Sequence, residues 1–414
     1  MIFFISVARR TAKLILSTAL FVVFSVCAFA QATTPTTPQP PEKFTNAEFS
    51  KMQREMSEGG GYFMSDNFTS NETSYLHIVP KLQQLTATGG AYLGVGPEQN
   101  FTYIAKLRPR IAFLVDIRRQ AVLQHLMYKA LFQLSPTRTE FLAHLLSKPI
   151  PVETKTETKT ESKTAESKDA AKPAPPKLVT PKPDAPIHEI IRFFDQLKVS
   201  EAAYAANLAE IKKFIETELQ LPLSKEDQTS LDYVYKSFRV DGLDIAFRLD
   251  SGWSTYFPTL RELLVQTDLK GQLGNFLAVK DDYDFLRELH RKNLIIPLTG
   301  DFGGKKALTA VGDVLRKYGL TVSAFYLSNV EQYLFDGTSF EGFAGNIRKL
   351  PLTEKSHFIR AVFNMRYSHP SALPGHLSTT LLQPMQGFLK DYDAGVYRGY
   401  YDVIMSRYIA PDKP

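Results

Sequence analysis

Short, continuous apolar runs alternate with stretches of helical spacing along most of this chain. Ala91-Tyr92-Leu93-Gly94-Val95 is the first run; the turn Gly96-Pro97-Glu98-Gln99-Asn100 follows, and residues 101–107 continue as helix. Pro97 suits the opening turn of a helix, where a missing N–H costs nothing. Ile111-Ala112-Phe113-Leu114-Val115-Asp116 is a second run that closes on an acid, and residues 120–134 place apolar side chains at helical spacing. The alternation resumes later, with a strand at 276–279, a helix at 283–292 and a strand at 294–298. That strand runs into Thr299-Gly300-Asp301-Phe302-Gly303-Gly304. Residues 307–318 form an amphipathic helix ended by Gly319 as a C-cap. A last strand, 321–327, leads to Ser328-Asn329-Val330-Glu331. Residues 70–85 and 187–219 are also predicted as helix. Strands that are apolar throughout, without alternation, are buried on both faces, as in parallel α/β sheets. The fold class is α/β: a Rossmann-like, doubly wound, mostly parallel sheet with additional helices.

Two segments stand outside this pattern. Arg9, Arg10 and Lys13 precede an apolar run that ends in Ala28-Phe29-Ala30. Small residues at the last and third-last positions are what signal peptidase reads, so residues 1–30 are predicted as a signal peptide and 31–42, rich in Thr and Pro, as a flexible stalk. The other reading is an uncleaved anchor in the inner membrane through residues 14–30, near the lower length limit for a span. A lipoprotein anchor on Cys27 is a third reading, against which Phe24-Ser25-Val26 before it is a poor match to the usual Leu-Ala-Gly, and all three export the rest of the chain, to the periplasm or beyond. The second segment, residues 149–186, repeats Lys-Thr-Glu-Thr units and then turns to Ala, Lys and Pro. It has too little apolar surface to offset its ordering entropy and is predicted as a disordered insertion. It divides the domain into residues 43–148 and 187–411.

Composition narrows the chemistry. The chain has 414 residues, with 44% hydrophobic and 22% charged, an ordinary globular balance. Its formal charge is +6, and three of those charges belong to the leader, which leaves the mature chain too weakly basic to argue for nucleic acid or an anionic membrane as partner. Cys27 is the only cysteine and lies in the leader. Disulfides, a cysteine nucleophile and thiolate metal sites are therefore excluded from the mature chain. No paired-histidine spacing suggests a metal. Gly-x-Ser-x-Gly is absent, so an α/β-type serine hydrolase is not expected. His125, on an apolar helix, reads as a core residue.

In open α/β sheets ligands sit beyond the carboxyl ends of the strands, where strand order reverses. The glycines after the first strand, Gly94 and Gly96, allow backbone N–H groups to approach a ligand, and Asp116 ends the next strand where ribose hydroxyls would lie. The competing reading of Asp116 is a helix cap ahead of Arg118. Thr299 to Lys306 does not fit a phosphate loop, but a looser anion site at the following helix N-terminus, assisted by Lys305, is consistent with it. Asp301, Ser328, Asn329 and Glu331 are the candidate substrate contacts across neighbouring strand ends. For all of these, tight turns and helix capping are the alternative. Ser70-Asn71-Glu72-Thr73-Ser74 is a dense polar cluster that reads as a helix cap.

These motifs resemble the class I S-adenosylmethionine-dependent methyltransferases. Tyr92-Leu93-Gly94-Val95-Gly96-Pro97-Glu98 is similar to that family's glycine-rich first motif, and Val115-Asp116-Ile117 to its second. The resemblance implies S-adenosylmethionine as cofactor, Gly94 and Gly96 facing it, and Asp116 on its ribose. Tyr92 stands where that family has an acid, and Glu98 where a third small residue is usual. The likeness covers residues 89–134, with a looser strand pattern at 276–335. The segments Gly94 to Asn100 and Ser328 to Tyr333 also resemble a family of uncharacterised bacterial proteins. S-adenosylmethionine is a cytoplasmic metabolite, so an exported transferase would lack its donor. Two functions stand side by side: an enzyme using this site, or a non-catalytic envelope protein holding a small ligand or partner in the same crevice.

Overall fold

The computed structural model describes residues 41–151, 178–251, 256–335, 338–363 and 369–412. Residues 1–40, which hold the predicted signal peptide and most of the predicted stalk, and residues 152–177 of the predicted insertion lie outside these. Six strands form the main sheet: β1 (Ala91–Gly94), β2 (Ile111–Asp116), β3 (Ile295–Thr299), β4 (Val322–Ser328), β5 (His357–Phe363) and β6 (Ser378–Pro384). Their order is β3-β2-β1-β4-β5-β6; the first five are parallel, and β6 runs antiparallel to β5. Every residue of β1, β2 and β3 is buried, which is why these strands read as unbroken apolar runs. Helices Gln99–Leu107, Arg119–Leu134, Lys280–Arg291, Ala307–Lys317 and Ser339–Arg348 flank the sheet. The strands before and after the insertion thus build one mixed α/β sheet. Travel across it reverses between β1 and β4.

Four expectations change. Only Val79–Leu85 of the stretch 70–85 is helical, because side chains at 70–74 turn inward to a buried polar network described below. Residues 276–279 form a turn held by Asn275, whose Oδ1 accepts from Leu277 N at 2.9 Å, and not a strand. The stretch 187–219 breaks into Ile187–Gln196 and Glu201–Lys213, the second capped by Ser200, with a π turn at its end. β5 and β6 were not anticipated at all. Their burial shows no simple alternation, and β6 carries Ser378, Thr379, Thr380 and Gln383 into the interior.

The described end of the insertion, residues 178–186, joins the fold through Arg138. Its Nη1 donates to Leu277 O and Ala278 O, both 2.9 Å away, and its Nη2 to Pro183 O (3.1 Å) and Ala185 O (2.7 Å). Four carbonyls replace water around this buried guanidinium.

The helix Arg119–Leu134 is buried on nearly every side, and it carries a lysine inside. Lys129 is 2% exposed; its ammonium donates to His290 O, lies 4.6 Å from the Phe49 ring centroid and pairs with no carboxylate among the described residues. Burial drives its pKa down to about 7 from 10.5. Below about pH 7 both folded and unfolded chains hold the proton, and the fold bears the cost of a buried charge. Between about 7 and 10.5 the folded chain binds fewer protons than the unfolded one, so this group's contribution to stability improves as pH rises. Lys129→Met should therefore raise stability by about 1–2 kcal/mol at pH 6. The gain should shrink by pH 9.5, as read from urea midpoints at the two pH values.

Candidate functional site

A cavity of about 310 Å³ opens at the carboxyl ends of β1, β2, β3 and β4, where the strand order reverses. Val95, Val115, Ile117 and Phe302 make its apolar wall, and Asp116, Asp301, Ser328 and Asn329 bring polar atoms to it. This volume lies at the lower end of the range for small-molecule sites, about 300–1,000 Å³.

One side is closed by the chain at 57–67. Glu58 N donates to Thr299 O (2.9 Å) and Gly61 N to Ile117 O (2.7 Å), so this segment is stitched across the ends of β2 and β3. It brings Tyr62, Phe63 and Met64 to the cavity. Phe63 meets the Tyr333 ring edge-on at 5.0 Å, while Tyr62 and Met64 remain largely exposed.

The expected site residues divide. Gly96, Asp116, Asp301, Ser328 and Asn329 line this one cavity. Gly94 does not: it makes room for Asn100, whose Oδ1 would lie 1.9 Å from a Cβ placed there. Glu331 is turned away into the core, where Arg360 Nη2 donates to its Oε1 at 2.8 Å and Arg360 Nε to its Oε2. The anion expected at the N-terminus of Ala307–Lys317 is the chain's own Glu58. Its Oε1 accepts from Ala307 N at 3.2 Å and lies against Gly304.

Asp116 is only 4% exposed. Its Oδ1 accepts from Arg118 N (2.9 Å) and Arg118 Nε (3.0 Å), and its Oδ2 from Arg118 Nη2 (2.8 Å) and Gly96 N (3.2 Å). Burial pushes the carboxyl pKa up, but the adjacent guanidinium outweighs it, and the pKa ends below the ordinary aspartate value. Its roughly four acceptor sites are thus filled from within the chain. His125 supports the same turn from beneath, with Nε2 2.8 Å from Gly96 O. Burial lowers the His125 pKa to about 4, so the ring is neutral.

The most developed polar network here was read from the sequence only as a cap. Glu72 is 0% exposed and sits under the cavity. Its Oε2 accepts from Gln99 Nε2 (2.8 Å), and its Oε1 accepts from Ser328 Oγ (2.8 Å) and the Tyr326 hydroxyl. Tyr326 and Ser328 both line the cavity, so Glu72 is hydrogen-bonded to two of its lining residues. Burial raises the Glu72 pKa, against which the three donors act. Beside it Glu98 accepts from Ser70 N at 3.2 Å, and burial raises its pKa to about 7. Thr69 also lines the cavity, and its Oγ1 has no hydrogen-bond partner among the described residues. The sequence signal was there in Ser70 to Ser74: a glutamate amid small hydroxyls has short-range partners that let it go inside. Only β4, 254 residues away at Tyr326, shows that it does.

Fold and cavity together define a mixed α/β protein with a small-molecule-sized cleft at the carboxyl edge of a mostly parallel sheet. Residues 67–174 and 187–407 match the family described as Domain of unknown function (DUF7790), and the chain belongs to that family. No curated protein matches the sequence. Among the described residues no helix is long and apolar enough to cross a membrane, and no cluster of three metal-ligating side chains occurs.

Proposed function

We propose that this is an exported small-molecule-binding protein with a Rossmann-like, doubly wound fold, whose ligand occupies the cavity at the ends of β1 to β4. The observation that carries this reading is the placement of that cavity at the point where β1 neighbours both β2 and β4, the position at which open α/β sheets bind ligands. The strand order, the glycine turn at Gly96 and the acid Asp116 beside it support a nucleoside, with S-adenosylmethionine as the first candidate by resemblance. A second reading, a ligand held without Asp116, is favoured by the filled hydrogen bonds of that carboxylate, since ribose hydroxyls would have to displace Arg118.

Thermal melting with S-adenosylmethionine, S-adenosylhomocysteine and nucleotides separates the two. A ligand at 100 times its Kd adds about 2.7 kcal/mol of stability, and Val330→Trp, which places a bulky ring on the cavity lining, should abolish that shift. No shift with any of them removes the nucleoside reading. Export is supported by Arg9, Arg10, Lys13, the apolar run behind them and Ala28-Phe29-Ala30. Mass spectrometry of the expressed chain should find Gln31 at the N-terminus; an intact leader in the membrane fraction would favour the anchored form.

A further inference from the structure

Ser328 combines three features that a structural serine does not need together. It is the last residue of β4, it carries φ +50 in the left-handed region, and the β4–β5 register slips between Tyr326 and Ser328. A non-glycine residue there is strained, and such strain and strand bulges gather at functional sites. The chain then turns directly into the short helix Glu331–Leu334. Ser328 lines the cavity, and its hydroxyl donates to Glu72 Oε1 at 2.8 Å. That carboxylate is itself held, by Gln99 Nε2 at 2.8 Å and by the Tyr326 hydroxyl.

We propose that Ser328 is a nucleophile and Glu72 its general base, for acyl transfer from a small apolar ester. The proposal deepens the small-molecule reading of the cavity and rests on it. The parts match what an activated hydroxyl needs: a nucleophile on a strained strand-to-helix turn, a base within hydrogen-bond reach, and further groups that orient the base. No histidine takes part, and no glycine flanks the serine, so the arrangement differs from the α/β-hydrolase elbow that the sequence lacks.

In the first step Ser328 Oγ bonds to the ester carbonyl carbon while its proton passes to Glu72 Oε1. The tetrahedral adduct then expels the alcohol, which leaves with that proton. In the second step water attacks the acyl-serine, Glu72 takes the water's proton, and collapse releases the carboxylic acid as the proton returns to Ser328. Water is the only co-reactant. Asn329, next in the chain and also lining the cavity, carries the amide that would donate to the developing oxyanion. The apolar wall of Val95, Val115 and Phe302 suits a short acyl chain. Gln99 and Tyr326 are positioning residues, acting through Glu72.

A fluorophosphonate probe on the intact protein tests this, with the labelled peptide read by mass spectrometry. Labelling is expected at Ser328 and should disappear in Ser328→Gly, a change that relieves the backbone strain and so keeps the fold, as melting would confirm. Glu72→Gln should slow labelling at least a hundredfold. Tyr326→Phe removes a donor from the carboxylate, so the acidic limb of the labelling rate against pH should move to higher pH. Absence of labelling in the folded protein, or undiminished labelling in Ser328→Gly, would overturn the nucleophile. An unshifted limb in Tyr326→Phe would overturn Glu72 as the base. A protein that shows ligand-dependent melting yet takes no label keeps the cavity as a binding site and loses only this chemistry.

Discussion

Arg360→Met should destabilise the fold by about 3–5 kcal/mol, the cost of stranding a buried charge. Arg360 is 2% exposed and Glu331 0%, and the guanidinium grips both carboxylate oxygens while its Nη1 donates to Gln383 Oε1 at 2.7 Å. The ring centroids of Phe358 and Phe388 lie 4.6 Å and 5.8 Å from the guanidinium carbon, so the pair sits in apolar surroundings. Glu331 begins the short helix after β4, and Arg360 belongs to β5; the pair therefore ties the rim of the cavity to the outer strands. Removing both charges, as Arg360→Met with Glu331→Leu, should cost much less than Arg360→Met alone, because nothing charged is then left unpaired. Urea unfolding of the two single variants and the double variant measures this coupling. A single variant with an unchanged midpoint would mean that water reaches Glu331.

Gly94→Ala should cost about 3 kcal/mol, the upper end of the range for overpacking. Its Cβ would sit 1.9 Å from Asn100 Oδ1 and 2.9 Å from the Tyr92 ring. Asn100 cannot simply move. Its Nδ2 donates to Val95 O (2.9 Å), Gly96 O (3.3 Å) and Pro97 O (2.7 Å), and its Oδ1 accepts from the Tyr92 hydroxyl (2.9 Å). Those bonds shape the turn at the cavity mouth, so the substitution removes them as well as adding volume. At Gly96, by contrast, a Cβ would meet nothing within 4 Å, and only the φ of +77 opposes alanine. Gly96→Ala should accordingly cost about 1 kcal/mol. Chemical denaturation of both variants without any ligand gives the comparison. Equal losses would mean that backbone conformation, and not Asn100, sets the need for glycine at position 94.

The sequence motifs placed their candidate residues at the carboxyl edge of the sheet. Gly96, Asp116, Asp301, Ser328 and Asn329 meet around one cavity, because neighbouring parallel strands bring their carboxyl ends to the same edge, while Gly94 and Glu331 at that edge face the packed interior. What each of them does there was not legible. Asp116 already holds Arg118, two residues away, and the anion position at Ala307 already holds Glu58. A sequence motif shows that a carboxylate or a helix N-terminus is present, but not whether the chain itself satisfies it.

The sequence by itself determined the layered α/β architecture and its four central strands, since unbroken apolar runs such as Ile111 to Val115 can only be buried on both faces. It also determined that no cysteine follows Cys27. Tertiary structure decided the rest. β5 and β6 escaped notice because their burial depends on one another and on Arg360, and not on a local period. Glu72 escaped notice because a buried carboxylate is recognisable only by its donors, and those come from Gln99, Tyr326 and Ser328, 27 to 256 residues along the chain. Local pattern records how much apolar surface a segment must bury; the partners that make a buried charge tolerable, and chemically useful, are set by which distant segments the sheet brings together.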